Sequence, residues 1–191
     1  MNLLSAYIGM DEIKLDSIRK SKWNQKKQKT FEKAYDFAAE LIESEAKRSN
    51  YKRSPLKINK EGFQKFIENF PYELTPDQLK CSHSLINDFN SPKMMDRLIC
   101  GEVGFGKTEM ALRASYISYM NGFQVCLMVP TTILAEQHYE TFTNRFSEYD
   151  VDVFLLTRNL STQEKKDVYS KILDQPNLIV IGTHALMNNK L

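Results

Sequence analysis

Eight consecutive residues, Gly101-Glu102-Val103-Gly104-Phe105-Gly106-Lys107-Thr108, match the pattern G-x-x-x-x-G-K-[ST]. Glycines let the backbone curl so that successive N–H groups face one anion, and a helix starting there adds its positive end. A lysine at the seventh position reaches the β- and γ-phosphates of a nucleotide, and the following hydroxyl ligates Mg²⁺. The flanks suit this chemistry: apolar Leu98-Ile99-Cys100 precedes the loop, and Met110, Ala111, Ala114 and Ile117 follow at helical spacing. A bare glycine-rich turn between strand and helix is the competing reading. The intact flanks favour a nucleotide.

Other polar residues sit where a parallel sheet collects its ligands, at the carboxyl ends of apolar runs. Pro130-Thr131-Thr132 follows one run, with Gln137 a turn further on; Thr157-Arg158 follows a second, and Gly182-Thr183-His184 a third. Threonines opening a helix cap it, yet the same hydroxyls and free N–H groups suit a nucleic-acid phosphate. Arg158 contacts a phosphate or is simply solvated. Upstream, Thr75-Pro76-Asp77-Gln78 fits a capping box with proline in the first turn. A glutamine amide also offers the donor and acceptor that adenine needs. For Gln78 alone, capping is the stronger reading.

These residues need a scaffold. After Pro92 the pattern predicts strands at 96–100, 124–129, 151–157 and 177–182, with helices at 107–121, 132–147 and 161–174. Asn121-Gly122 is a helix stop, and Ser161-x-x-Glu164 a capping box. Such alternation implies an α/β fold with a parallel sheet covered on both faces. Short helices are predicted over 62–69 and from Thr75 towards Phe89. Before them lies a long amphipathic helix from Lys22 to about Arg48, carrying Trp23, Phe31, Tyr35, Leu41 and Ile42. It either packs on its own domain or connects modules. A shorter helical hint covers Leu3, Leu4, Tyr7 and Ile8.

The 191 residues are 42% apolar and 26% charged, which suits a globular chain of one domain or slightly more. A net charge of +2 excludes little, although Lys14 to Lys29 holds seven Lys/Arg against Asp16 alone. That run reads first as a solvated helix face and second as a nucleic-acid patch. Cys81, Cys100 and Cys126 show no C-x-x-C spacing, and Cys81-x-His83 lacks a second pair to complete a metal site. Cys100 and Cys126 are expected as buried, reduced thiols, which points to a reducing cytoplasmic compartment. No apolar run approaches membrane-spanning length, and residues 1–10 make a poor signal peptide.

Taken together, the motifs resemble the superfamily 2 helicases. Phe70-Pro71-Tyr72-Glu73-Leu74-Thr75-Pro76-Asp77-Gln78 is similar to their adenine-reading Q motif, Gly101–Thr108 to motif I, Pro130–Gln137 to motif Ia, and Gly182–His184 to a later DNA-contacting turn. Within that superfamily, Phe70–Gln78, Met95–Glu109 and Val129–Tyr139 resemble the bacterial transcription-repair coupling factor family nearly residue for residue. The RecG-like fork-remodelling helicases fit the Phe-Pro-Tyr-Glu stretch less well. Departures are Phe105 for the usual Tyr, Glu102 for Asp, and Thr157-Arg158-Asn159 for Ser-Arg-Phe.

The resemblance implies a RecA-like P-loop lobe, incomplete at its C-terminus, over 71–191. Residues 51–70 would be a linker and short helix, 21–50 a relay-type helix, and 1–20 a remnant of a polymerase-binding module with its connector. It implies ATP and Mg²⁺ as cofactors, with Lys107 catalytic, Thr108 on the metal, and Phe70, Gln78 and residues 101–108 around the nucleotide. Pro130, Thr131, Thr132, Gln137, Arg158, Thr183 and His184 would face double-stranded DNA. The whole protein would push stalled RNA polymerase and recruit excision-repair proteins, with no membrane role. No Asp-Glu pair follows the phosphate loop here; the resemblance places it a few tens of residues beyond Leu191. The 191 residues are therefore expected to bind ATP without cutting it. Alternatives are a RecG-like helicase, a small P-loop kinase, or an interaction module using the long helix.

Overall fold

The computed structural model describes residues 21–187, in two compact units divided between Tyr51 and Lys52. The hint at Leu3–Ile8 lies outside the described residues. The first unit is helix α1 (Ser21–Asn50), 30 residues without Gly or Pro. Its polar face carries i,i+4 contacts such as Lys47–Glu43 at 2.7 Å and Gln28–Glu32 at 3.1 Å. Phe31, Tyr35, Leu41 and Ile42 are exposed.

The second unit begins with helix α2 (Lys60–Glu68), capped by Asn59, whose side chain accepts from the Gly62 N–H at 3.2 Å. It buries Phe63 and Phe66. Helix α3 (Pro76–Phe89) opens with a complete capping box, Thr75 and Gln78 bonding reciprocally, and proline at its start. Helix α4 (Lys107–Met120) ends at Asn121, and Gly122 takes a left-handed φ of 80°. Then come β1 (Val125–Met128), α5 (Thr132–Arg145), β2 (Val153–Leu156), α6 (Thr162–Asp174), β3 (Ile179–Gly182) and a 3₁₀ turn, His184–Met187. Thr131 caps α5 through the Leu134 N–H, and Ser161 with Glu164 forms the box at α6.

The three strands are parallel in the order β1-β3-β2, with Val125 and Val153 both level with Ile179. Central β3 is buried along its whole length, as a strand covered on both faces should be. Ile179 and Ile181 join Leu112 and Ile117 of α4 and Phe142 of α5 in one core. Leu178 and Val180 face the other way, towards Val168, Tyr169 and Ile172 of α6. The larger core is aromatic: Phe66 stacks on Tyr116 at 4.4 Å and lies 5.2 Å from Phe146. Gly182 is required where β3 passes β2, because a Cβ there would stand 2.2 Å from the Leu156 carbonyl oxygen.

Two expectations are corrected. Residues 96–100 form no strand: Lys52–Lys93 is an isolated bridge just before them, and Leu98 is 86% exposed. A strand exists through its ladder, and among the described residues no strand ladder includes this segment. It is held by side chains instead. Arg97 makes a bidentate pair with Asp88 at the end of α3, one arm at 2.9 Å. Cys100 and Cys126 are exposed, because the first lies in this unladdered segment and the second on β1, an edge strand whose alternate residues stay open.

Candidate functional site

The phosphate loop owes its shape to two residues in left-handed conformations, Gly104 at φ 85° and Gly106 at φ 73°. Gly106 is the N-cap of α4 and offers no side chain to its first turn. The leading N–H groups therefore keep their donor capacity for an anion, and the helix dipole adds to it. A Cβ on Gly106 would sit 2.7 Å from Gln78 Nε2. The loop is thus a cradle that side chains would fill, which fits the phosphate chain of a nucleotide.

Lys107 Nζ donates to the Gly101 carbonyl at 2.6 Å and the Glu102 carbonyl at 2.5 Å. Its ammonium is held over the loop and must trade those bonds to meet a phosphate. Thr108 is half-buried in the first turn of α4. Its hydroxyl gives a hard cation one oxygen, so the remaining ligands would come from phosphate and water. No cluster of three His, Cys, Asp or Glu side chains suited to a metal occurs among the described residues.

Gln78 serves two elements. Its Oε1 accepts from the Thr75 N–H at 2.8 Å, closing the capping box, and its Nε2 donates to the Phe105 carbonyl at 3.0 Å. Gln78, Gly101, Glu102, Phe105 and Lys107 line a cleft of about 730 Å³ together with Cys81. Val103 points out, 98% exposed. Phe70 does not line this cleft; it packs edge-on against Tyr72 at 5.4 Å.

A second cleft, of about 490 Å³, gathers Pro130, Thr131, Thr132, Arg158, Thr183 and His184. These come from the carboxyl ends of three different strands, so the sheet assembles them from three stretches of sequence. Arg158 and His184 are exposed, and the arginine carbonyl is anchored by Lys165 Nζ at 2.9 Å. Exposed basic and hydroxyl groups beside a helix start suit phosphate oxygens. Gln137 lies exposed on α5 outside that lining.

Sequence reasoning missed a buried ionic cluster below the phosphate loop. Glu109, one residue after Thr108, is 3% exposed and accepts from Arg113 Nε at 2.7 Å. Arg145 of α5 lies 3.5 Å from the same carboxylate and 4.6 Å over the Phe66 ring. The signal was the i,i+4 pair Glu109–Arg113 inside an otherwise apolar helical pattern.

Comparison with known proteins agrees with the motifs. Over 99% of its length the chain is 42% identical to the transcription-repair-coupling factor of Haemophilus influenzae and 38% identical to that of Escherichia coli, spanning 17% of each. A solved structure of RecG bound to a three-way DNA junction matches 76% of the chain and 20% of its own, at 37% identity and TM-score 0.69. The family model for DEAD/DEAH box helicases matches residues 75–191. With its RecA-like P-loop fold, the chain belongs to the DEAD/DEAH box helicase family.

Proposed function

We propose that this chain is the ATP-binding portion of a double-stranded DNA translocase of the transcription-repair-coupling type. The carrying observation is the cleft in which Gln78 from α3 is bonded to the phosphate loop and Lys107 stands over it. In this reading the first-turn N–H groups of α4 bind phosphate oxygens and Lys107 neutralises their charge. Gln78 holds the loop closed beneath the base, and Thr108 contributes one oxygen to Mg²⁺. A Mg²⁺ ion held there by the Thr108 hydroxyl would supply charge neutralisation to the phosphate chain. The cleft at Thr131, Arg158 and Thr183 takes DNA phosphates. The relatives' name, transcription-repair-coupling factor, supports a role that links transcription to repair; in this reading the whole protein works in the cytoplasm with RNA polymerase and excision-repair proteins. No helix among the described residues is long and apolar enough to cross a membrane.

A RecG-like helicase is the second reading, favoured by the 37% identity to the RecG structure. Titrating the chain with a fluorescent ATP analogue tests the site directly: saturable binding that Lys107→Ala weakens at least about tenfold, or 1.4 kcal/mol, is expected. Binding indifferent to that change overturns the assignment. Displacement of stalled RNA polymerase by the whole protein, against unwinding of branched DNA, separates the two readings.

A further inference from the structure

A third cleft, of about 840 Å³, lies on the other side of α3 from the nucleotide cleft, between α2, residues 72–74 and α3. Leu79, Ser82, His83 and Ile86 line it at helical spacing, whereas Gln78 and Cys81 face the phosphate loop. Nothing in the proposed motor activity uses this cleft.

Its lining includes Arg113, 2% exposed. Arg113 Nε is bonded to Glu109 and Nη1 to Ser82 Oγ at 3.2 Å, but Nη2 is buried with no hydrogen-bond partner. Behind it, Arg145 leaves Nε and Nη1 equally unpartnered. Two guanidinium groups thus share one carboxylate, and the excess positive charge lies in a region of low dielectric. Buried charges without partners are costly, and an anion brought to the cleft relieves that cost. Of the charged groups at the rim, Lys60 adds positive charge and Glu73 opposes it.

The rest of the lining selects the carrier of that anion. Half-buried Ile67 and Ile86, with exposed Leu79 and Tyr72, give the cleft apolar walls along its length. A small free anion covers none of that surface. We infer that this cleft docks an acidic peptide segment of a protein partner, one carboxylate entering towards Arg113 while flanking apolar side chains cover Leu79 and Ile86.

The test uses the full chain and a fluorescein-labelled dodecapeptide with Glu at every third position among Leu and Ser, followed by anisotropy. Saturable binding is expected, weakened at least about tenfold when Gln replaces the peptide's Glu residues, or by Leu79→Glu or Lys60→Glu. Both variants change exposed rim residues, and retained binding of the ATP analogue shows that they are folded. No binding, equal binding of the Gln peptide, indifference to both variants, or full displacement by citrate at equal carboxylate concentration each overturns the inference.

Discussion

Gln78 and Phe105 are joined by one hydrogen bond, from the Gln78 side-chain amide to the Phe105 carbonyl at 3.0 Å, while the other end of the same amide caps α3. One side chain therefore fixes the start of a helix and the curvature of the phosphate loop 27 residues later. Substitutions separate the two roles. Gln78→Ala removes both and should cost about 1 kcal/mol of stability, as cap losses do. It should also weaken nucleotide binding about tenfold. Gln78→Glu still accepts from the Thr75 N–H but cannot donate to Phe105. Denaturant unfolding should place it near the parent in stability, while nucleotide titration places it with Gln78→Ala. A Glu variant that binds nucleotide normally would remove the loop bond from the argument.

The two critical glycines should fail for different reasons. Gly106→Ala forces a side chain into φ 73° and against Gln78 Nε2. The left-handed conformation alone costs about 1–2 kcal/mol, and the Gln78 amide, on a flexible side chain, can swing aside. Gly182→Ala presses a Cβ onto the Leu156 carbonyl, which is backbone and cannot move without opening the β2–β3 ladder. Its cost should exceed about 4 kcal/mol. Urea unfolding of the two variants should rank them in that order, with nucleotide binding lost more completely per unit of stability in Gly106→Ala.

How much of this was legible in advance follows from the range of each interaction. The boxes at Thr75–Gln78 and Ser161–Glu164, the cap at Thr131 and the stop at Gly122 were readable, since each is decided within a few residues. The strand expected at 96–100 was not, because its apolar run says nothing about whether a ladder partner lies alongside. The same blindness covered Cys100 and Cys126, whose exposure depends on sheet order. Strand ends were readable, but only the order β1-β3-β2 shows that Thr131, Arg158 and Thr183 share a cleft. Likewise, nothing in the sequence ties Arg145 to Glu109 across 36 residues.

Arg158 offers a separable prediction for that cleft. If it meets a DNA phosphate, Arg158→Ala should weaken DNA binding without altering nucleotide binding. It should also reduce the slope of log affinity against log salt by about 0.9, one phosphate contact. Fluorescence anisotropy with duplex DNA at several salt concentrations reads both quantities. An unchanged slope would leave the arginine solvated.

The pair Arg97–Asp88 should appear in the acid limb of stability. Hydrogen bonds from Arg97 hold the Asp88 carboxyl below its usual range; burial opposes them, and the charges of Arg97 and Arg53 add to them. The unfolded chain, titrating near about 3.9, then takes up the proton first as pH falls. Stability from the pair is fully present above that value and is lost as pH drops through the lower folded value. Asp88→Asn should flatten this part of the curve in denaturant unfolding from pH 6 down to about 3. Because Arg97 also anchors the segment entering the phosphate loop, the same variant should weaken nucleotide binding at neutral pH.

Below the loop, Glu109 carries the sharpest expectation. Its carboxylate is the partner of both buried guanidinium groups, and it sits in the first turn of the helix that starts at Lys107. Glu109→Gln keeps the volume but leaves two buried cations facing a neutral amide, a loss of about 3–5 kcal/mol. Arg145→Met should be far milder. That arginine has two unpartnered nitrogens and lies over Phe66, so a thioether in its place still covers the ring and removes an unbalanced charge. The double variant then decides between the terms. If excess positive charge causes the damage in Glu109→Gln, adding Arg145→Met should restore part of the stability, a coupling of about 1 kcal/mol or more. If the damage comes from lost packing in α4, the two effects should simply add.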